Sequence, residues 1–344
     1  MWLICGVAAA ADPNEGLIQK FMGSWFPVVP DSTITMETKD VGPGFAVYYI
    51  QQIPKDKKNG DQQPAIYLPG PRQIIIGDYF NLSRYKAEDI NAKFIGDFLS
   101  SAMGMSFKAS QPAQKTDLPE FNLDQETGYG KVRLKAFLFG KVHLMLGQKY
   151  PVDGNAREFR MKNINPKMGG SMGEASAPHH LYVFLDLECP HCAKLEKDLI
   201  PLLKERKDWQ ATFLQFPLVM GHVIAFKAAA AAYCFKAADP KLYFDFMDWF
   251  YPQRTDLDLS SVDAACLGFA QMHGIEEKFL GCYMQEPNVR SVLDTLQMGT
   301  DAGVRYTPAI YLDGASYGPA DLLNLLKPAA AEPKDAPKAQ APTP

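Results

Sequence analysis

Two cysteines separated by two residues, Cys189-Pro190-His191-Cys192, form the constellation in this 344-residue chain whose types and spacing do chemistry. Such a pair at a strand-to-helix junction can close a disulfide, and helix amides around the first sulfur stabilise its thiolate. Cys189 reads as the outward-facing nucleophile. Cys192, about one helical turn further in, reads as the resolving thiol that attacks a mixed disulfide. His191 would donate a hydrogen bond or positive charge, lowering the thiol pKa below its reference of about 8.5. A stabilised thiolate means a stabilised dithiol, so the pair should be an oxidant. Two other uses of Cys-x-x-Cys fit poorly. Zinc needs a second ligand pair, and His179-His180 lacks metal-like spacing to the motif. A purely structural bridge across one helical turn constrains little.

The elements around the motif follow from hydrophobic pattern. Leu181-Tyr-Val-Phe-Leu185 is an apolar run fit for a buried strand, leading through Asp186-Leu187-Glu188 into Cys189. Leu195, Leu199, Leu202 and Leu203 place a helix after it, and Ala211-Thr-Phe-Leu-Gln-Phe216 supplies another strand. Helical spacing then runs from His222 to about Gly299. A last strand, Ala309-Ile-Tyr-Leu312, turns at Asp313-Gly314 into a closing helix from about Ala320 to Leu326. Upstream, Gly44–Gln51, Ala65–Leu68 and Gln73–Ile76 read as strands, and residues 87–103 as one amphipathic helix. Lys131–Phe139 and Lys141–Leu146 read as a hairpin about Gly140. Glycine, proline and small residues accumulate over Asn163–Pro178, where the domain boundary is expected. The organisation is therefore a leader remnant at 1–11, an α+β domain at 14–163, a linker at 164–177, an α/β domain at 178–327 and a disordered tail at 328–344.

Composition sets the outer limits. With 47% hydrophobic and 12% aromatic residues the chain can bury two cores, and a net charge of −4 offers no polybasic field for nucleic acid. The apolar, small start Met1–Ala11, giving way to Asp12-Pro13, reads as the end of a secretory leader without its basic region, which points to a periplasmic or otherwise exported protein. Cys5 lacks the flanking small residues of a lipidation site. Of six cysteines, five remain if the leader is removed, so one has no intramolecular partner.

Cys189-Pro190-His191-Cys192 after an apolar strand resembles the active site of DsbA-like oxidoreductases, and Tyr306-Thr307-Pro308-Ala309 resembles the thioredoxin-fold cis-proline loop. The resemblance covers about residues 178–327, including Gly274–Cys282 and Gly303–Pro308. It implies a thioredoxin-like fold with a helical insertion, preceded by a separate α+β N-terminal domain. It implies further a cis Pro308 facing Cys189 and a Thr307 backbone that pairs with extended substrate. Three features depart from a plain oxidase. Thr307 stands where the best-known oxidases carry valine and isomerases often carry threonine. Glu188 precedes the nucleophile, either facing the thiolate or solvated. Gly44–Tyr48 with Ala65–Leu82 is similar to the cystatin-like dimerisation domain of DsbC/DsbG isomerases.

Some relatives of this kind carry a second, structural disulfide in the insertion, which would pair Cys234 with Cys282 and stabilise by ~4 kcal/mol in the chain-entropy model. Buried free thiols are the alternative, and Cys266 could replace either partner. Tyr317, Met220, His222 and Phe226 are weaker candidates for substrate contact. His143 and His273 read as ordinary histidines. The resulting expectation is an exported thiol-disulfide oxidoreductase acting on unfolded or partly folded proteins, with oxidation the favoured direction. It needs no metal or organic cofactor, since the disulfide is the redox group, and by family analogy a membrane redox partner reoxidises it. The alternatives are a homodimeric isomerase or reductase, and a non-catalytic peptide-binding chaperone module.

Overall fold

The computed structural model describes residues 14–27, 32–42, 44–55, 58, 60, 62–113 and 118–327. The leader expected at 1–11 and the tail at 328–344 lie outside the described residues. Helix α1 (Glu15–Trp25) forms because Ile18, Phe21 and Trp25 recur at helical spacing and bury one face. Strands β1 (Ser32–Gly42), β2 (Phe45–Pro54), β3 (Gln62–Leu68) and β4 (Gln73–Asn81) follow. Then come α2 (Ala92–Met103), β5 (Phe107–Ser110), β6 (Glu120–Glu126), β7 (Lys131–Phe139), β8 (His143–Pro151) and α3 (Ala156–Asn163). The strands make one antiparallel sheet in the order β1-β2-β3-β4-β8-β7-β6-β5. Gly77 opposes Gly147 at the β4–β8 seam, where a Cβ on Gly77 would stand 1.9 Å from the Leu146 carbonyl oxygen. Only glycine admits that approach.

The single helix expected over 87–103 is shorter. The Asn91 side chain accepts from the Phe94 N–H at 3.1 Å and starts the helix there, after a 3-10 turn at Ala87–Asp89. The hairpin about Gly140 is present, with Gly140 and Lys141 both at positive φ.

The second half holds β9 (Gly170–Gly173), β10 (His179–Leu185), α4 (Pro190–Lys204) and β11 (Trp209–Gln215). A helical block follows: α5 (Ala225–Ala238), α6 (Pro240–Gln253), α7 (Val262–Met272), α8 (Glu276–Leu280) and α9 (Glu286–Asp301). Strands β12 (Ala309–Leu312) and β13 (Ala315–Tyr317) and helix α10 (Pro319–Leu326) close it. The sheet order is β13-β12-β10-β11-β9, with β10 and β11 parallel and the outer strands antiparallel. Central β10 buries Leu181 to Leu185 on both faces, as a near-continuous apolar strand must. Each such side chain stabilises by about 1.5–3 kcal/mol. The expected linker at 164–177 is not a free connection. Gly170–Gly173 pairs with β11, because glycine's missing side chain lets that strand lie against Tyr243.

The helical block packs around Phe235, Phe246, Phe250, Phe269 and Phe279, all buried. A Cys234–Cys282 disulfide spans 48 residues and ties α5 to the turn after α8, while Cys266 is a buried free thiol. Buried Gln215 and Tyr243 fasten the block to β11: Gln215 Nε2 donates to the Tyr243 hydroxyl, which donates to the Phe213 carbonyl.

The two halves touch closely. Tyr129, at the β6–β7 tip, stacks on Phe226 with centroids 4.1 Å apart. Gln297 of α9 pairs with both backbone groups of Arg133, at 2.7 and 3.1 Å. Buried Arg160 donates to the Gly314 and Trp25 carbonyls, and Arg305 reaches Gln63 at 3.1 Å and Asp78 at 3.5 Å.

Candidate active site

Strand β10 ends at Leu185 and α4 begins at Pro190, so the motif occupies the turn between them. Cys189 is the N-cap of α4, and Pro190 sits at the first helical position, where its missing N–H is no loss. Pro190 and His191 are exposed, whereas Cys189 is 4% exposed and Cys192 fully buried. The nucleophile is thus less outward-facing than its place in the motif suggests. The reason is tertiary: the loop before β12 covers it, and Cys189 Sγ lies 3.5 Å from the Thr307 carbonyl oxygen. The Thr307–Pro308 peptide is cis.

The two sulfurs are electrostatically unlike. The Cys192 thiol hydrogen-bonds to Cys189 and is the largest influence lowering the Cys189 pKa to about 5; burial opposes it. The backbone N–H groups of Cys192 and His191 and the Thr307 side chain add to the lowering. His191 therefore acts through its main chain at the helix N-terminus, where its ring had been the expected donor. Cys192 moves the other way: burial first, then the neighbouring Cys189, push it well above the ordinary thiol value.

Asp186, wholly buried, organises the loops beside the pair. It accepts from the Glu188 N–H at 2.7 Å and the Leu218 N–H at 2.6 Å, and its Oδ2 lies 2.8 Å from His222 Nδ1. Its own N–H points at Cys192 Sγ, 3.4 Å away. Burial works against protonation of His222, but Asp186, Glu188 and Cys189 outweigh it and raise its pKa. Glu188 is half-buried, and its Oε2 accepts from the Ile224 N–H at 2.9 Å, at the start of α5. Below, Glu196 is buried on α4, and burial together with the Asp248 charge raises its pKa to about 7.

The motif pair, Thr307 and Pro308 converge, and His222 joins them through Asp186. The weaker candidates scatter. Phe226 is buried beneath Tyr129; Met220 is 59% exposed beside the site; Tyr317 lines a separate small cavity with His179, Trp209 and Asp313. Cys234 and Cys282 lie in the helical block, His143 lies 2.7 Å from the Tyr79 hydroxyl, and His273 packs on Phe269. Asp186 and Glu196 were missed. A carboxylate directly after a five-residue apolar strand was the signal available for Asp186.

Residues 166–327, just under half of the chain, match the sequence model of the family described as Thioredoxin. The C-terminal domain accordingly has the thioredoxin fold anticipated from its motif. Similar solved structures include the thiol-disulfide exchange protein alpha-DsbA2 from Wolbachia pipientis, at 18% identity and TM-score 0.42, covering 50% of this chain and 94% of that one. The catalytic domain of Proteus mirabilis ScsC is similar at 18% identity and TM-score 0.40, covering 50% and 94%. BdbD from Bacillus subtilis gives 18% identity and TM-score 0.40, covering 47% and 92%. No curated protein matches the chain.

Proposed function

We propose that the protein is an exported thiol-disulfide oxidoreductase that exchanges disulfides with unfolded or partly folded proteins through Cys189, with oxidation the favoured direction. The observation carrying this reading is the unlike seating of the pair: Cys189 caps α4 with its sulfur 3.5 Å from the Thr307 carbonyl oxygen, while Cys192 is fully buried behind it, an arrangement that lowers the Cys189 thiol and raises Cys192. In the oxidising cycle a substrate thiolate attacks Cys189 Sγ of the Cys189–Cys192 disulfide, and Cys192 leaves and takes up a proton. A second substrate thiolate then attacks the substrate sulfur of the mixed disulfide, forming the substrate disulfide and expelling Cys189 as thiolate. The second step is fast because a low-pKa thiol leaves readily. Two substrate thiols are oxidised, and the enzyme pair is reduced by the same two electrons.

The Cys234–Cys282 bridge supports export, since such disulfides persist in oxidising compartments. The returning oxidant would be a membrane redox partner. Equilibration with glutathione at pH 7 tests the direction. A potential well above that of a reducing dithiol is expected; one near −270 mV, the value of a typical reductant, would reverse the assignment. Native mass separates the isomerase case, which requires a dimer with activity on scrambled substrate.

A further inference from the structure

Where the two halves meet, a cavity of about 70 Å³ lies against Gly303–Tyr306, the segment that runs into Thr307. Its volume is that of roughly two water molecules. The N-terminal half lines it with Trp25 of α1, Tyr150 of β8 and Arg160 of α3, and the C-terminal half with Gly303, Arg305 and Tyr311. Arg160 is 3% exposed, yet it forms no ion pair among the described residues; its guanidinium donates to the Gly314 and Trp25 carbonyls. It lies 4.7 Å from the Tyr311 ring centroid and 5.8 Å from that of Trp25. Burial lowers its pKa, and the groups that oppose burial are tyrosines, not carboxylates. A guanidinium nevertheless keeps its proton, so a full positive charge is buried here without a counter-ion.

The polar groups around it are short of acceptors. Trp25 Nε1 and the Tyr150 hydroxyl are buried and have no hydrogen-bond partner. A Cβ on Gly303 would stand 2.7 Å from that hydroxyl, which puts the Tyr150 oxygen at the cavity wall. Burial pushes the Tyr150 pKa up to about 12, so at neutral pH the hydroxyl holds its proton and can donate, while the indole N–H can only donate. Nearby acceptors are engaged: Arg160 takes the two carbonyls, and Arg305 takes Gln63 Oε1 at 3.1 Å and Asp78 at 3.5 Å. No carboxylate lines the cavity. Water would bring two hydrogens in need of acceptors and no charge. A small anion accepts from both donors and neutralises the guanidinium.

We infer that this cavity is a binding site for one monovalent anion of chloride size, held by the Arg160 charge, the Trp25 indole N–H and the Tyr150 hydroxyl, and that the anion fastens the N-terminal half to the loop leading into Thr307. The site is separate from the thiol pair and does not depend on the disulfide-exchange reading. Thermal unfolding of the full-length protein in sodium chloride is compared with sodium gluconate at equal ionic strength, gluconate being too large for the cavity. The midpoint should climb with chloride and follow a saturating curve as the site fills, with no such curve in gluconate. Tyr150→Phe should raise the half-saturating chloride concentration about tenfold, and in gluconate it should be no less stable than wild type, because an unpartnered hydroxyl has gone. Arg160→Met should erase the chloride response. Crystals soaked in sodium bromide should show an anomalous peak within hydrogen-bond reach of Trp25 Nε1 and the Tyr150 hydroxyl. Coincident chloride and gluconate curves, a Tyr150→Phe variant that responds to chloride as wild type does, or a cavity holding only water in the bromide crystals overturns the inference. A bromide peak with no chloride response in solution marks an ion bound at crystal concentration only and overturns it as well.

Discussion

Replacing Cys192 with alanine removes the largest single influence on the Cys189 thiol, so its consequence can be worked through. From 9.0 to about 5 the pKa falls by about four units; at pH 7 an ordinary thiol is roughly 1% ionised and Cys189 roughly 99%. That ~100-fold gain in thiolate is nearly cancelled in attack, because a nucleophilic slope of 0.4–0.5 lowers intrinsic reactivity by about 40- to 100-fold over the same span. The gain lies in the leaving step and in stabilisation of the dithiol, at about 30 mV for each unit. In Cys192→Ala, the helix N–H groups and Thr307 remain while the thiol donor is lost, so the Cys189 pKa should rise by about one unit or more. Cys192→Ser keeps an O–H donor and should rise less. Thiolate absorbance at 240 nm against pH, with iodoacetamide rates as a second probe, measures all three proteins. An alanine variant within about 0.3 unit of the reduced wild type would refute the assignment of Cys192 as the main support.

Further outcomes follow from the same geometry. In the reduced protein the Cys189 contribution to stability is present above pH 9 and lost as pH falls to about 5, so chemical denaturation should show reduced minus oxidised stability declining across that window. Asp186→Ala orphans two backbone N–H donors and the His222 partner and should cost about 3–5 kcal/mol by urea unfolding; a loss below 1 kcal/mol contradicts its role as organiser. Glu196 has its folded pKa raised from 4.5 to about 7, so the stability of the oxidised protein, in which Cys189 does not titrate, should fall as pH climbs between those values. Glu196→Gln should remove that slope and gain about 2 kcal/mol at pH 8, and an unchanged slope argues against a buried carboxyl. Cys234→Ala/Cys282→Ala opens a 48-residue loop and should lower stability by ~4 kcal/mol; cysteine alkylation of the unreduced wild type, followed by mass mapping, should leave both residues unmodified.

What could be read from sequence alone was what depends on near neighbours. An apolar strand followed by Cys-x-x-Cys and a leucine face places both sulfurs on one helix start, and β-branched and aromatic runs mark β2, β3, β4, β7 and β8. β6 alternates cleanly in burial, yet Glu120-Phe-Asn-Leu-Asp-Gln-Glu126 carries too few β-formers to announce itself. β9 failed for a related reason, since Gly170–Gly173 reads as a linker and becomes a strand only because β11 lies beside it. The N-terminal strands were individually visible in part, but their order in an eight-stranded sheet was not.

The sequence by itself determined the chemistry on offer: two thiols one turn apart, the first at a helix amino end. Tertiary structure decided how those thiols differ. Thr307 stands 118 residues from Cys189, yet its carbonyl touches the sulfur, and Leu218 and His222 reach Asp186 across more than thirty residues. Burial of Cys192 and enclosure of Arg160 between the two halves likewise depend on packing between distant segments. Local spacing reports on bonds within a turn of the chain, whereas desolvation and long-range hydrogen bonds, which set a thiol's pKa, exist only once the chain has folded.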